Sequence, residues 1–178
     1  MSLDYWNKRS KSWLIGRSTV SKPAVNLENY INKLIQNKTI LEIGVGTGRY
    51  LNSFKEYKHY YGVDFVESFI NTAQKLKPIK CTLSVDDIVN LKFNKNIDLA
   101  FTNIVLQHVS HNKIKKAISN ITNLNPKDII LCEGICNMKS NNYQFLHDYE
   151  ELFKEYKYNL KYSEMQDNNI TAILHFTK

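Results

Sequence analysis

Proline, glycine and cysteine are all scarce in this chain of 178 residues, which contains 3, 6 and 3 of them. No linker rich in proline, glycine or serine and no internal repeat divides the sequence, so its length fits one domain. No apolar run approaches the roughly 20 residues that a membrane-spanning helix needs. Residues 1–12 are polar and charged and lack the apolar core of a secretory signal. We therefore expect a cytoplasmic protein without a membrane span.

The three cysteines, Cys81, Cys132 and Cys136, are an odd number and stand in apolar, strand-like segments. Free cysteine is among the most buried residue types, and unpaired thiols suit a reducing compartment. The spacing of Cys132 and Cys136 fits neither a CxxC redox pair nor half of a zinc ribbon. We expect reduced thiols that pack in the core, and no metal site.

Positive charge is in excess, with 24 Lys and Arg against 17 Asp and Glu and a formal net charge of +7. A basic patch would favour a nucleic-acid partner, but the lysines are scattered from Lys8 to Lys178. The content of 43% hydrophobic and 23% charged residues is typical of a globular chain. We therefore expect a small-molecule partner, which the charge allows to be acidic, and no nucleic acid.

Strand-like and helix-like segments alternate after residue 37, which predicts βαβ units and a mainly parallel sheet. The predicted strands lie at 38–43, 59–63, 79–85, 97–102 and 128–132. The predicted helices lie at 47–57, 67–76, 113–124 and 143–156. Two further strands, at 160–165 and 170–176, flank a polar turn at 166–169 and predict an antiparallel hairpin. The expected fold class is α/β, a Rossmann-like three-layer sandwich with a mainly parallel seven-stranded sheet.

The segment before the sheet, residues 1–37, is predicted to be helical. Residues 27–35 have apolar side chains at helical spacing and should pack against the first strand. Residues 4–14 contain Trp6 and Trp13, which either fill a small satellite core or form a lid over a ligand. With residues 38–178 as the Rossmann-like core, the whole of 1–178 is expected to form one domain.

The strongest motif is the run LEIGVGTGR at Leu41–Arg49, which follows a predicted strand and precedes a predicted helix. Glycines allow a tight turn and the close approach of a ligand, and the helix would offer unpaired N–H groups. A P-loop would need Gly-Lys-Ser/Thr where this chain has Gly48-Arg49-Tyr50, and a dinucleotide fingerprint would need glycine at position 49. Glu42 suits a ligand with a cationic amino-acid end and would repel a pyrophosphate.

A second acidic position strengthens this interpretation. Asp64 ends the second predicted strand, where Rossmann folds carry a ribose-binding carboxylate. The chain contains four characteristic runs in this order, LEIGVGTGRYL, YYGVDF, VDDIVNL and IDLAFTNIVLQHV. Together they resemble the class I S-adenosylmethionine (SAM)-dependent methyltransferases over roughly residues 38–135. The resemblance is closest to the branch that methylates quinones and other small metabolites.

This resemblance implies a site for SAM and its product S-adenosylhomocysteine. The glycines would lie under the methionine part, with Glu42 ordering the loop or reaching the amino group through water. Asp64 would bind the ribose, with Phe65 beside the adenine. The glycines implied under the methionine part are Gly44, Gly46 and Gly48. The residues implied at the adenine edge are Asp86, Asp87 and Ile88, and Asn103 is implied near the methyl group. Of the two neighbouring acids, Asp87 matches the adenine position better, although either could simply cap a helical turn.

The chain also departs from the family. Asn125-Pro126-Lys127-Asp128 stands where Pro-Gly-Gly is frequent, which changes a turn and not the chemistry. Thr102-Asn103-Ile104-Val105 replaces the N/D-P-P-Y/F/W motif of enzymes that methylate base amines, which argues against that activity. Asn103 and Glu133 are too few for a metal-dependent catechol-type site.

His108 follows the fourth predicted strand at the sheet edge where α/β folds bind ligands, so it is a candidate general base for a hydroxyl acceptor. It could equally pack beneath the cofactor or bond to backbone. Glu133 is a second candidate base, and Tyr5 or Tyr143 could orient the acceptor. The expected function is SAM-dependent methyl transfer to a small molecule. The alternatives are an RNA or protein methyltransferase, and a SAM-binding partner or sensor without catalysis; the glycine spacing disfavours a nicotinamide enzyme.

Overall fold

Seven strands and five helices make up the part of the chain that the computed structural model describes, residues 3–16, 25–135, 144–165 and 171–178. The strands are β1 (Thr39–Ile43), β2 (His59–Asp64), β3 (Cys81–Val85), β4 (Leu99–Asn103), β5 (Asp128–Gly134), β6 (Asn159–Met165) and β7 (Thr171–Thr177). The helices are α1 (Leu3–Gly16), α2 (Val25–Asn32), α3 (Glu67–Ala73), α4 (His111–Asn123) and α5 (Tyr149–Lys154).

The sheet has the strand order β3-β2-β1-β4-β5-β7-β6. The pairs β1–β2, β2–β3 and β4–β5 are parallel, whereas β7 pairs antiparallel with both β5 and β6. This confirms the predicted α/β fold, with a mainly parallel seven-stranded sheet and an antiparallel C-terminal hairpin. The predicted polar turn at 166–169 lies outside the described residues.

The chain divides into two compact units, of which the first is Ser2–Asp87. Its strands β1 and β2 are in register from Thr39↔His59 to Ile43↔Val63, so both end at the same edge. The apolar side chains of β1 are fully buried, and α3 buries Phe69 and Ile70. The loops that follow β1, β2 and β3 therefore meet at one edge of this unit, the usual place for a ligand in α/β folds.

The second unit is Ile88–Lys178. Every residue of β5 is buried, which is expected of a strand covered on both faces. Helix α4 buries an apolar stripe at helical spacing, formed by Ile114, Ala117, Ile118 and Ile121. Because Asn103 pairs with Cys132, the loop after β4 lies beside the last residues of β5.

Two predicted helices differ from the structure. Residues 47–53 form successive turns, with bonds such as Ser53 N–H to the Tyr50 carbonyl (2.9 Å), and residues 54–57 are irregular, with a positive φ of 60° at Glu56. Their apolar residues at helical spacing pack without a helical backbone, because positive φ values at Gly48 and Glu56 interrupt a helix near both of its predicted ends. The helix predicted at 143–156 is short, since α5 begins only after Asp148, whose Oδ1 accepts the Glu151 N–H (3.0 Å).

The N-terminal helix α1 belongs to the first unit. Ser10 is buried in it and accepts a hydrogen bond from the hydroxyl of Ser68 on α3 (3.1 Å). Trp6 is half-buried against the edge of Tyr5, and the Trp13 side chain lies outside the described ones. A lid role, and one domain over 1–178, stay predictions. No helix among the described residues is long and apolar enough to cross a membrane.

Two of the three cysteines lie in the described part of the chain. Cys81 and Cys132 are buried, reduced cysteines on β3 and β5. Cys136 lies outside the described residues.

Candidate functional site

The glycine loop after β1 turns in a conformation that other residues rarely adopt. Gly44, Gly46 and Gly48 have φ angles of 81°, 54° and 91°. A Cβ at Gly48 would lie 2.7 Å from Leu51 Cδ1, so a larger residue there would displace the Leu51 side chain in addition to straining the backbone. A Cβ at Gly46 would meet no heavy atom within 4 Å. The loop is thus packed at Gly48 and open at Gly46, where a ligand could approach the backbone.

Asp64, at the end of β2, holds this loop. Its buried carboxylate accepts the Gly46 N–H through Oδ2 and the Val66 N–H through Oδ1, both at 2.9 Å. Burial raises the pKa of Asp64 to about 6, although the bonds from Val66, Gly46 and Phe65 lower it. Because each carboxylate oxygen has two lone pairs, Asp64 can hold the loop and still accept a ligand hydroxyl.

Four N–H groups of the loop are bonded within the protein, whereas the sequence predicts a helix terminus with unpaired donors. The N–H groups of Gly44 and Val45 both donate to the Val63 carbonyl, at 2.7 and 3.0 Å. That of Gly46 donates to Asp64, and that of Gly48 donates to Val45. No helix follows the loop directly, because the described residues between β1 and β2 form turns, so the loop lacks the helix dipole that an anion site uses.

Glu42 is buried on β1 and accepts a hydrogen bond from the Tyr60 hydroxyl on β2. Burial raises its pKa to about 8, against the opposing effects of the Tyr60 bond and the positive charge of Arg49. Glu42 is therefore mostly protonated at neutral pH. A contact of this residue with a ligand amino group stays a prediction.

The remaining cofactor positions of the first unit follow β2 and β3. The Asp86 N–H donates to the Asp64 carbonyl (3.0 Å), and Asp86 Oδ1 accepts the Asp87 N–H (2.9 Å). Phe65, Asp86 and Asp87 are half-buried. The structure thus brings Gly46, Asp64 and the two neighbouring acids to one edge of this unit.

Two predicted positions belong to the second unit. Ile88 is buried at the start of a short 3-10 turn, where its carbonyl accepts from the Asn120 side chain (2.8 Å). Asn103 is half-buried at the end of β4.

The loop after β4 is held by Glu133, which lies fully buried near the end of β5. Its carboxylate accepts from Thr102 Oγ1 (2.7 Å) and from the backbone N–H groups of Val105 (3.0 Å to each oxygen), Leu106 (3.1 Å) and Gln107 (3.2 Å). Burial raises the pKa of Glu133, and these hydrogen bonds oppose that change. A carboxylate offers about four lone-pair positions, so four donors occupy them.

Ile104 lies inside this loop with a φ of 58°, a conformation that is rare for a β-branched residue. Its N–H donates to the Cys132 carbonyl (2.8 Å). Such a backbone costs about 1–3 kcal/mol and persists only where surrounding contacts impose it. The bonds to Cys132 and Glu133 on either side of the turn supply that constraint.

His108 is half-buried at the end of a 3-10 turn, Leu106–His108, in the same loop. Its N–H donates to the Val105 carbonyl (2.9 Å), and its Nε2 lies 3.5 Å from Gln107 Nε2. The Gln107 side-chain oxygen accepts the Gly134 N–H (3.0 Å), and its main-chain oxygen accepts the Phe145 N–H (2.7 Å). Gln107 therefore links this loop to the end of β5 and to the segment before α5.

Sequence reasoning singled out neither Gln107 nor Tyr149. The Tyr149 hydroxyl is buried and finds no hydrogen-bond partner in the structure described here, and its pKa is raised by burial and by the charge of Glu133. Its ring contacts that of His147, whose Nε2 donates to the Val109 carbonyl (2.8 Å). These residues are far apart in sequence from Glu133, so no local pattern marks them. Tyr143, the tyrosine that was predicted, lies outside the described residues; Tyr5 lies on α1 of the first unit.

Comparisons with known proteins agree with this geometry. A family model described as a methyltransferase domain matches residues 40–127. The chain is 26% identical over 131 residues to phosphoethanolamine N-methyltransferase 1 of Triticum aestivum, covering 66% of this chain and 26% of that protein. It is 32% identical over 91 residues to the protein of the same name in Caenorhabditis elegans, covering 49% of this chain and 19% of that protein. The chain thus spans about a quarter or less of the length of these curated relatives.

The fold matches that of a solved structure almost completely. Magnesium protoporphyrin IX methyltransferase from Synechocystis, with bound S-adenosylhomocysteine, superposes with a TM-score of 0.79 at 14% identity. The match covers 98% of this chain and 97% of that one. By its sequence match the chain contains a methyltransferase domain at residues 40–127, and its fold is that of SAM-dependent methyltransferases.

Proposed function

We propose that this chain binds SAM at the glycine loop and transfers its methyl group to a small molecule. The observation that carries the proposal is the loop itself, open at Gly46 and held by Asp64 at the ligand edge of the first unit. The family match at residues 40–127 includes both residues. Gly44, Gly46 and Gly48 form the floor under the methionine part in this proposal, and Asp64 accepts from the ribose.

The hydrogen bonding of the loop favours SAM over a dinucleotide. A pyrophosphate needs several N–H donors directed at it, whereas the donors of Gly44, Val45 and Gly46 are already used within the protein. A sulfonium ligand with ribose hydroxyls instead needs acceptors and an open backbone. Phe65, Asp86, Asp87 and Ile88 are the proposed adenine contacts.

SAM supplies an activated methyl group whose departure leaves neutral sulfur, so the protein mainly has to align nucleophile, methyl and sulfur. Asn103 is proposed to lie near the methyl group. His108 is proposed to accept a proton from a hydroxyl acceptor, because imidazole can do so near neutral pH. A small acceptor is supported by relatives and neighbours whose names specify phosphoethanolamine and magnesium protoporphyrin IX.

A labelled-methyl assay tests this function. The protein is incubated with methyl-labelled SAM and, separately, with panels of small hydroxyl, amine and thiol compounds, with RNA and with protein. We expect label in a small molecule. Label in RNA or protein would favour a macromolecular acceptor, and SAM binding without transfer to any panel would favour a non-catalytic SAM-binding partner or sensor.

The base assignment is tested by His108→Ala. Once an acceptor is known, we expect kcat to fall about 100-fold or more, the usual effect of losing a general base. SAM affinity should change less than threefold. His59→Ala is the matched control, because His59 begins β2 at the end away from the glycine loop. Full turnover in His108→Ala would remove His108 from the mechanism.

A further inference from the structure

Glu133 has a geometry that suits holding the loop more than proton transfer. Its carboxylate is fully buried, and its roughly four lone-pair positions face Thr102, Val105, Leu106 and Gln107. A general base needs a lone pair directed at the acceptor. The backbone N–H groups of Val105, Leu106 and Gln107 can only donate. Because they reach both Oε1 and Oε2 of Glu133, both atoms have to be acceptors.

The backbone held by Glu133 is strained at one residue. Ile104, with φ 58°, stands immediately before Val105, whose N–H is bonded to both carboxylate oxygens. Backbone strain of this kind concentrates where a precise geometry serves function.

We infer that Glu133 is a positioning residue, acting through the backbone of residues 104–107 to hold Asn103 and His108 in place. This role rests on the proposed function and replaces the base role that the sequence suggests for Glu133. The link to His108 is short: Glu133 accepts the Val105 N–H, and the Val105 carbonyl accepts the His108 N–H. Gln107 adds a second link, since it contacts both the Glu133 carboxylate and the His108 ring.

The test is Glu133→Gln, which keeps the size of the side chain but turns one acceptor oxygen into a donor. Amide hydrogen exchange in the ligand-free protein is measured at Val105, Leu106 and Gln107, with Ile130 in the middle of β5 as internal reference. We expect the three loop amides to exchange at least tenfold faster than in the wild type, after correction for any change at Ile130. In the methyl-transfer assay, kcat should fall at least tenfold, while the dissociation constant for SAM changes less than threefold.

Asp128→Asn is the matched control. Asp128 is also buried and acidic, but it begins the same strand beside the start of β4, away from the loop, and bonds to the His175 ring (2.9 Å). This variant should lower global stability without accelerating exchange at the three loop amides beyond that at Ile130. If Glu133→Gln does not fold, a second pair of variants replaces it. Thr102→Val removes one donor to Glu133, and Thr102→Ser retains it. Only Thr102→Val should accelerate exchange at the loop amides.

Two results would overturn the inference. The first is that the loop amides of Glu133→Gln show no faster exchange once the change at Ile130 has been subtracted. If Glu133→Gln does not fold, the same result in Thr102→Val would count. The other is faster exchange with unchanged kcat. Because exchange is measured without ligand, it judges the holding of the loop even if the wild type transfers no methyl group, in which case it is the proposed function that fails.

Discussion

The glycine loop of the first unit and the loop after β4 in the second are built alike. Each follows a buried strand, and each is held by a buried carboxylate on the neighbouring parallel strand. Asp64 on β2 accepts the Gly46 N–H, and Glu133 on β5 accepts the N–H groups of three residues after β4. In both units a carboxylate therefore takes up backbone donors that a loop leaves unpaired.

The two loops differ in how they reach positive φ. The first uses glycine at all three such positions, whereas the second places Ile104 at φ 58°. Glycine adopts this conformation at little cost, so the first loop needs only one hydrogen bond to Asp64, from the Gly46 N–H. The strained second loop is held by four donors on Glu133. The loop with the more strained backbone thus donates more hydrogen bonds to its carboxylate.

Glu42 sharpens the comparison, because it is a buried acid in the first unit whose carboxylate accepts a hydrogen bond from a side chain, the Tyr60 hydroxyl on β2. Its raised pKa means that the folded state keeps a proton up to about pH 8 that an unfolded chain releases near 4.5. Stability is therefore lost as pH rises through this window. Glu42→Gln has no proton to release, so denaturant unfolding should show it equal to wild type near pH 5 and up to about 4 kcal/mol more stable at pH 9.

Asp64 titrates in the same direction at lower pH, with a pKa of about 6, but it is present in both proteins and cancels from their difference. A pH-independent gap between wild type and Glu42→Gln would contradict the raised pKa of Glu42.

Substitutions at Gly48 and Gly46 compare the packed side of the first loop with its open side. Gly48→Ala should lower the free energy of unfolding by about 3 kcal/mol, because positive φ and a contact of 2.7 Å with Leu51 both oppose it. Gly46→Ala should cost only about 1 kcal/mol, since space is open there. Urea unfolding measures both, and equal losses would mean that the two sides of the loop do not differ.

Ile104 gives the smallest effect. Ile104→Gly relieves the positive φ but loses side-chain contacts and adds freedom to the unfolded chain, so stability should change by less than about 1 kcal/mol. Val105→Gly is its neighbour control; with φ −116° it has no strain to relieve and should lose about 1–2 kcal/mol. Thermal unfolding of both variants measures these changes. A larger loss of stability in Ile104→Gly than in Val105→Gly would contradict the strain assigned to Ile104.

The sequence predicts the first loop far better than the second. Strand periodicity and the spacing of Gly44, Gly46 and Gly48 indicate where β1 ends and how the chain turns. The helix predicted at 47–57 is wrong because apolar spacing does not report the positive φ that breaks a helix. Glu133 could be recognised as an acid at a strand end, but not as an acceptor for backbone groups some 30 residues earlier, since nothing local marks those donors.

The central claim is that the glycine loop binds SAM, and calorimetric titration of the purified protein tests it most directly. The protein is titrated with SAM, with S-adenosylhomocysteine and with NAD under one set of conditions. We predict micromolar binding of the two sulfur ligands and no binding of NAD. Binding of NAD alone, or of none of the three, would contradict the account.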